Sequence, residues 1–153
     1  MVVNWAHVHL LINHVPVIGV AFTIVLLLIG MARSSEELKK VSLVFFAALA
    51  VFTVLVFMTG SPAAKEVRNL PEVSAAIIHR HSNAALISTI ALGILGFLSL
   101  GALFLSRGGR AVPARVGWAL VFLALVVQGL MAWTANLGGQ IRHTEIRPVI
   151  SRK

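Results

Sequence analysis

The chain has 153 residues, of which 58% are hydrophobic and only 12% are charged. About a quarter of the residues in a soluble domain are charged, so this composition excludes an ordinary soluble globular protein and indicates an integral membrane protein. The chain has no cysteines, which excludes disulfides, thiolate metal ligands, iron–sulfur clusters and covalent c-type haem attachment. The net charge of +8 comes from basic residues beside apolar runs, which favours contact with lipid headgroups over nucleic acid.

Four apolar runs predict four transmembrane helices, at about residues 12–32, 41–59, 80–105 and 115–137. Each contains a charge-free stretch close to the ~20 residues that cross a bilayer. Lipid cannot satisfy backbone polar groups, so each run is expected to be helical. The first run has no basic residues before it and is interpreted as a retained span rather than a signal peptide. The predicted fold is an all-α integral membrane four-helix bundle, with short loops, one domain over residues 1–153 and both termini on the same side.

Local signals predict where the helices begin and end. Ser34 or Ser35 is expected to cap the second helix. Pro71 suits the first turn of the third helix, which is therefore expected to begin well before its apolar run. The pair Gly138 and Gly139 predicts the end of the fourth helix.

The basic residues give a prediction of orientation. The loops at residues 32–40 and 106–115 carry six basic residues, the loop between the second and third helices carries three, and the C-terminal tail carries four. Counted over the loops, the asymmetry places the two richer loops in the cytoplasm and both termini in the periplasm, in a bacterial inner membrane. With the tail included the two sides are almost balanced, so the other orientation stays open.

All six histidines fall on one predicted side of the bundle, at the entrances of the first and third helices and just after the fourth. They are His7, His9, His14, His79, His81 and His143. Imidazole is a good ligand for haem iron, copper, zinc and non-haem iron, and bundles commonly hold such sites between facing helices. The alternative interpretation is that interfacial histidines lie among the lipid headgroups.

Helical geometry separates the candidate ligands. His14 and His81 are the strongest candidates because both begin apolar spans, where an unpaired imidazole is costly. Five residues of a continuous helix place His9 about 140° from His14, so these two favour separate sites or separate duties. The expected pairs are His14 with His81 and His9 with His143. His7 is expected to be an ordinary interfacial residue.

A b-type haem needs two opposed histidines, space for a flat macrocycle and polar groups for its propionates. Ala85 and Ser88 share a face with His81 and leave such space, although small residues also serve ordinary helix packing. Arg80, Arg142 and Gln140 lie at the correct end to meet the propionates. The sequence thus predicts one or two haems b, with copper, zinc or iron as the alternative cofactor.

Two further polar residues have open interpretations. Glu66 could accept a hydrogen bond from an imidazole, or it could be a solvated loop charge. Gln128 is the most polar residue inside a span and is expected to bond to another helix. Contact with a quinone carbonyl is the alternative for Gln128.

Four motifs along nearly the whole chain carry a family resemblance. They are HVHLLINHVPVIG at the start, TGSPAAKEV in the middle, IIHRHSNAAL opening the third helix and TANLGGQIRHTEIR at the end. Together they resemble a family of small bacterial four-helix membrane proteins with histidine motifs at the helix ends. The start and end motifs are fairly specific, whereas the apolar spans are not. The resemblance implies the four-helix membrane fold but supplies no established activity.

The resemblance also implies which histidines match the family pattern, namely His9, His14, His81 and His143. His7 and His79 are additional. Ser82 and Asn83 stand where the family has acidic residues after the histidine of the third helix, and Ser61 replaces the acid of the middle motif. These departures weaken any role for carboxylates.

Three functions fit these features. The first is a small b-type cytochrome-like subunit that passes electrons between a quinone pool and a membrane or periplasmic redox partner. The second is a non-haem metal-binding protein, and the third is a structural accessory subunit of a larger complex or homo-oligomer. None of the common enzyme motifs is present, so an electron-transfer or accessory subunit is favoured over a self-contained enzyme.

Overall fold

The computed structural model describes residues 4–146, and all regular structure within them is helical. The helices are α1 (Trp5–Ile12), α2 (His14–Ala32), α3 (Glu36–Val67), α4 (Ala75–Leu105) and α5 (Ala114–Arg142), followed by a 3₁₀ turn at Thr144–Ile146. Since α1 and α2 together make one unit of 28 residues, four helical units are long and apolar enough to cross a membrane. The prediction of an all-α protein with four membrane-length helices is confirmed. Arg147, Arg152 and Lys153 of the basic tail lie outside the described residues.

A proline explains the break between α1 and α2. Pro16 has no N–H to donate to the carbonyl of Ile12, so the helical ladder is interrupted there. Asn13 nevertheless keeps helical dihedral angles, φ −67° and ψ −23°, and its N–H donates to the carbonyl of His9 at 3.0 Å. The chain therefore continues from α1 into α2 in nearly the same direction.

The other helix ends follow the predictions in part. Ser35 caps α3, because its hydroxyl accepts from the N–H of Leu38 at 3.3 Å. The expected start of α4 near Pro71 is wrong, since residues 68–74 form turns and the helix begins at Ala75. Within those turns Glu72 has a positive φ of 63°, a left-handed conformation that no helix continues through.

The expected stop at Gly138 and Gly139 is also wrong, because α5 runs through both to Arg142. A glycine pair can end a helix, but it can also serve a close approach between two helices. The second use applies to Gly138, which lies against the ring of His81.

The four long units pack in a ring in which each touches the next, α2 against α3, α3 against α4, α4 against α5, and α5 against α2. The short α1 packs on α3. The interior is filled by fully buried side chains, including Val20, Leu27, Leu43, Phe46, Leu92 and Leu95. Large apolar side chains such as Phe97 and Phe122, 75% and 71% exposed, cover the outside. A soluble monomer rarely exposes so much apolar surface, and this surface is compatible with contact to a lipid bilayer.

The two ends of the bundle are built differently. At one end, Glu36 joins two loops, since its carboxylate accepts from the N–H of Val112 at 2.7 Å and pairs with the buried Lys39 at 2.7 Å. The other end comprises α1, the start of α2, the last turns of α3, the first turns of α4 and the last turns of α5 with the residue that caps it. This end is called the histidine end, because it carries all six histidines.

Candidate histidine site

Two histidines meet at the histidine end. The ring centroids of His9 on α1 and His81 on α4 lie 6.4 Å apart, with their planes at 85°. Both side chains belong to half-buried residues. This contact differs from the pairing predicted from the sequence, which is His14 with His81 and His9 with His143. The reason is that α1, rather than α2, carries the imidazole that reaches across to α4.

A threonine on α3 fixes the protonation of His9. Nδ1 of His9 lies 2.7 Å from the hydroxyl oxygen of Thr59, and that hydroxyl donates to the carbonyl of Val56 at 2.6 Å. The single hydroxyl proton is used on the carbonyl, so Nδ1 must carry its own proton and donate it to Thr59. The lone pair of neutral His9 is then on Nε2, which has no hydrogen-bond partner within residues 4–146.

The backbone of α5 fixes His81 in the same way. Nδ1 of His81 lies 3.0 Å from the carbonyl oxygen of Thr134, which can only accept, so Nδ1 again carries the proton. The hydroxyl of Thr134 donates to the carbonyl of Leu130 at 2.9 Å and accepts from Ser88 at 2.8 Å. His81 and Ser88, two turns apart on α4, thus both bond to Thr134 of α5. Nε2 of His81 has no hydrogen-bond partner in the described chain.

A glycine lies beside each imidazole, and the packing requires the missing Cβ at Gly138. A Cβ atom at Gly138 would lie 3.0 Å from Cε1 of His81, which is too close for ordinary packing, and one at Gly60 would lie 3.7 Å from Cε1 of His9. Gly138 therefore lets α5 approach the His81 ring. This contact explains why the glycine sits inside α5 rather than after its end.

A carboxylate holds α1 in place. The two oxygens of Glu66, near the end of α3, accept from the N–H groups of Trp5 and Ala6, each at 2.9 Å. Asn4 adds a cap by accepting from the N–H of His7 at 2.9 Å. A negative charge at a helix N-terminus is favourable, so Glu66 positions α1, and with it His9, on α3. Both earlier interpretations of Glu66 are replaced by this one, and no local motif could have indicated a contact between residues 60 positions apart.

The remaining histidines are exposed, and three of them, His14, His79 and His143, have a hydrogen-bond partner close by in the sequence. His14 bonds through Nδ1 to the carbonyl of Leu10 at 3.0 Å, one turn earlier on the same face. His143 pairs with Glu145 at 2.8 Å. His79 lies 3.4 Å from the amide nitrogen of Asn83. The structure therefore brings together two of the four histidines predicted as ligands.

The groups predicted to meet haem propionates lie at the histidine end. Arg80 and Arg142 are exposed, whereas Gln140 is 8% exposed and donates to the side-chain oxygen of Asn136 at 2.7 Å. In the middle of the bundle, Oε1 of Gln128 is buried with no hydrogen-bond partner among residues 4–146. The bond from this atom to another helix, expected from the sequence, is not formed there.

The donor set of the site is two imidazoles. No group of three or more histidine, aspartate or glutamate side chains within residues 4–146 is placed to hold a metal ion. Structural and catalytic zinc sites use three or four protein ligands, so the described residues fit them poorly. Two neutral imidazoles with both Nδ1 protons engaged keep a lone pair on each Nε2, and in metal sites such partners on Nδ1 orient the ring and raise its basicity.

Comparison with known proteins gives no relative for this chain: no family model matches it, and no curated protein or solved structure is significantly similar to it. The family resemblance of the sequence motifs therefore stays a prediction. Function has to be inferred from the geometry of the histidine end.

Proposed function

We propose that the protein is a small b-type cytochrome-like membrane subunit that binds haem through His9 and His81. One observation carries the proposal: on two facing helices, both Nδ1 atoms donate hydrogen bonds and both Nε2 lone pairs are left for a ligand. Metal-ligating histidines almost always have their other ring nitrogen bonded in this way.

The spacing of the rings supports the same ligation. With metal–nitrogen bonds of about 2 Å, two imidazoles on opposite faces of one ion have ring centroids about 6 Å apart. The observed separation is 6.4 Å. Gly138 lets α5 approach the ring of His81, since a Cβ there would lie 3.0 Å from Cε1 of that ring.

The residues around the pair have separate duties in this proposal. Thr59 and the backbone of Thr134 orient the imidazoles and raise the basicity of Nε2. Glu66 holds α1, and therefore His9, at a fixed depth. Arg80, Arg142 and Gln140, at the same end, are the proposed partners of the propionates. A haem bound here would supply one-electron redox chemistry, with a potential set by its axial ligands and burial.

The cellular setting is proposed from the charge distribution and the site together. The richer basic loops lie at the end opposite the histidines, which favours a bacterial inner membrane with the histidine end and both termini in the periplasm. A haem near that surface could exchange electrons with a periplasmic or membrane redox partner and with a quinone in the bilayer. A role as a subunit of a homo-oligomer or of a larger membrane complex is also compatible with the exposed apolar faces.

The two-imidazole donor set also favours a second candidate, a copper-binding membrane protein, because imidazole is a good copper ligand. In that case no porphyrin would accompany the metal. Zinc and non-haem iron are less well matched, since the described residues offer no third ligand.

The proposal is tested by a visible spectrum and an elemental analysis of the full-length protein, purified from cells supplied with a haem precursor. We expect a Soret band, sharp reduced b-type bands and iron in proportion to porphyrin. Copper without porphyrin would select the second candidate. Protein free of both haem and metal, purified under the same conditions, would contradict the proposal and leave the His9–His81 contact as a structural link between helices.

A further inference from the structure

A cleft lies next to the histidine site, between the last turns of α3 and the first turns of α4. Its volume is about 510 Å³. The polar side of the lining consists of Arg68, Asn69, His79 and Ser82, and the apolar side includes Ala64 and Ile78. The cleft opens at the histidine end, where the charged residues of the loop replace the apolar surface of the bundle.

Three of the four polar side chains of the cleft, those of Arg68, Asn69 and Ser82, lack partners among the described residues. Within residues 4–146, the guanidinium of Arg68 forms no ion pair, and the side chains of Asn69 and Ser82 form no hydrogen bond. No carboxylate lines the cleft, and Glu66, the nearest acid on α3, is engaged at the start of α1. A cation and several donors thus face one space with no anion in it.

His79 adds a further donor. The side-chain N–H of Asn83 can only donate, so at 3.4 Å it meets the lone pair on Nδ1 of His79. This leaves the proton of neutral His79 on Nε2. His79 therefore has the opposite tautomer from His9 and His81, and it is suited to donate to an oxygen atom rather than to ligate a metal.

The start of α4 supports the same electrostatic character. Ala75, its first residue, lines the cleft. Ser74 makes no side-chain cap and the first turn contains no acidic residue, so backbone N–H groups at this end are without intrahelical acceptors. The positive end of a helix favours anions, and phosphate above all.

We infer that this cleft binds a phosphate group where lipid headgroups meet the protein. Arginine is the residue best suited to phosphate, because its planar donors engage two oxygens at once. Asn69, His79 and Ser82 supply neutral donors to the remaining oxygens, while Ala64 and Ile78 lie on the side of an acyl chain or glycerol. The phosphate is that of an anionic phospholipid or a free phosphate, and the site is independent of any haem at His9 and His81.

The test uses full-length protein in detergent, titrated separately with phosphatidylglycerol, phosphatidylcholine and inorganic phosphate and followed by native mass spectrometry and thermal unfolding. We expect phosphatidylglycerol to bind more tightly than phosphatidylcholine. Loss of a charged hydrogen bond in Arg68→Gln should weaken that binding by about tenfold or more. Ser82→Ala, which keeps every charge, should weaken it by a smaller factor.

The matched control is Lys65→Gln, which also removes one positive charge from the last turn of α3 but lies outside the cleft lining. It should leave phosphatidylglycerol binding close to that of the wild type. Binding of inorganic phosphate that Arg68→Gln abolishes would identify free phosphate as the ligand, and binding of the lipid alone would identify the headgroup. Equal losses in the Arg68 and Lys65 variants, or no preference for either anionic probe over the zwitterionic phosphatidylcholine, would overturn the inference.

Discussion

His9 and His81 differ from His14 and His143 in what holds them, although the sequence predicts all four as ligands and favours His14 and His81 among them. His9 and His81 bond through Nδ1 to a threonine of another helix and meet each other at 6.4 Å. His14 and His143 bond to groups four and two residues away on their own segment and are exposed. Under the proposed function, an imidazole held by a neighbouring helix is oriented for ligation, whereas one that bonds within its own segment belongs to the surface. The two kinds of histidine therefore differ in whether the partner of Nδ1 belongs to another helix or to a residue close by in the sequence.

The largest effect is expected from removing the imidazoles themselves. His9→Ala or His81→Ala should each abolish the low-spin haem spectrum, because a b-type haem then loses an axial ligand. His14→Ala should retain it. The measurement is the absorbance of reduced minus oxidised protein at equal protein concentration, with haem extraction as the check on content.

This comparison would break down if His14→Ala lost the haem while His9→Ala kept it. Such a result would restore the pairing of His14 with His81 that the sequence favoured. Circular dichroism of each variant guards against loss of fold as the cause.

A smaller effect is expected from the group behind the ligand. Thr59→Val keeps the shape of the side chain and removes the acceptor of the His9 proton, so haem affinity should fall by about 10–100-fold. Thr53 provides the matched control, since it is buried on the same helix and its hydroxyl has no partner within the described residues. Thr53→Val should be neutral or stabilising. Haem titration measures the affinity of the two variants. Similar losses of affinity in both would show that Thr59 does not act on His9.

An effect on stability is expected at Gly138, which lies against the ring of His81. Gly138→Ala places a Cβ 3.0 Å from the ring, and overpacking of this kind costs about 1–3 kcal/mol of stability. Gly129, on the same helix, has nothing within 4 Å of its added Cβ, so Gly129→Ala should change stability by less than about 1 kcal/mol. Thermal unfolding in detergent compares the two. A Gly138→Ala protein as stable as the wild type would show that α5 does not depend on this approach.

The smallest effect is expected at Glu66. Glu66→Gln weakens the acceptors for the first two N–H groups of α1, which should cost about 0.5–2 kcal/mol, the usual range for a helix cap. Amide exchange should accelerate in α1 and leave α4 unchanged. Glu37→Gln, which changes an exposed acid at the opposite end, is the control. Unchanged exchange in α1 would mean that packing on α3 alone holds His9.

The fold was largely predictable because it depends on long apolar runs. Lipid leaves a run of about 20 such residues no alternative to a helix, and the cap at Ser35 depends only on neighbouring residues. The ends at Pro71 and Gly138 were mispredicted for a common reason. Both signals are ambiguous in sequence. The turn at Glu72 delays the start of α4, and the contact with the ring of His81 accounts for a glycine inside α5. No local sequence pattern encodes either feature.

The site was predictable in its location and composition but not in its pairing. Residue type and helix topology place six histidines at one end. Which two of them meet depends on the depth of α1, and a contact between Glu66 and residues 60 positions earlier sets that depth. The apolar periodicity that identifies a span carries no information on such a contact.

The most direct test of the central claim is haem titration of the double variant His14→Ala/His143→Ala, which keeps only His9 and His81 of the four predicted ligands. We predict one low-spin, bis-histidine haem per chain, with the Soret and reduced b-type bands of the wild type. A folded double variant that binds no haem, or holds it with one histidine only, would contradict the claim that His9 and His81 are the ligand pair.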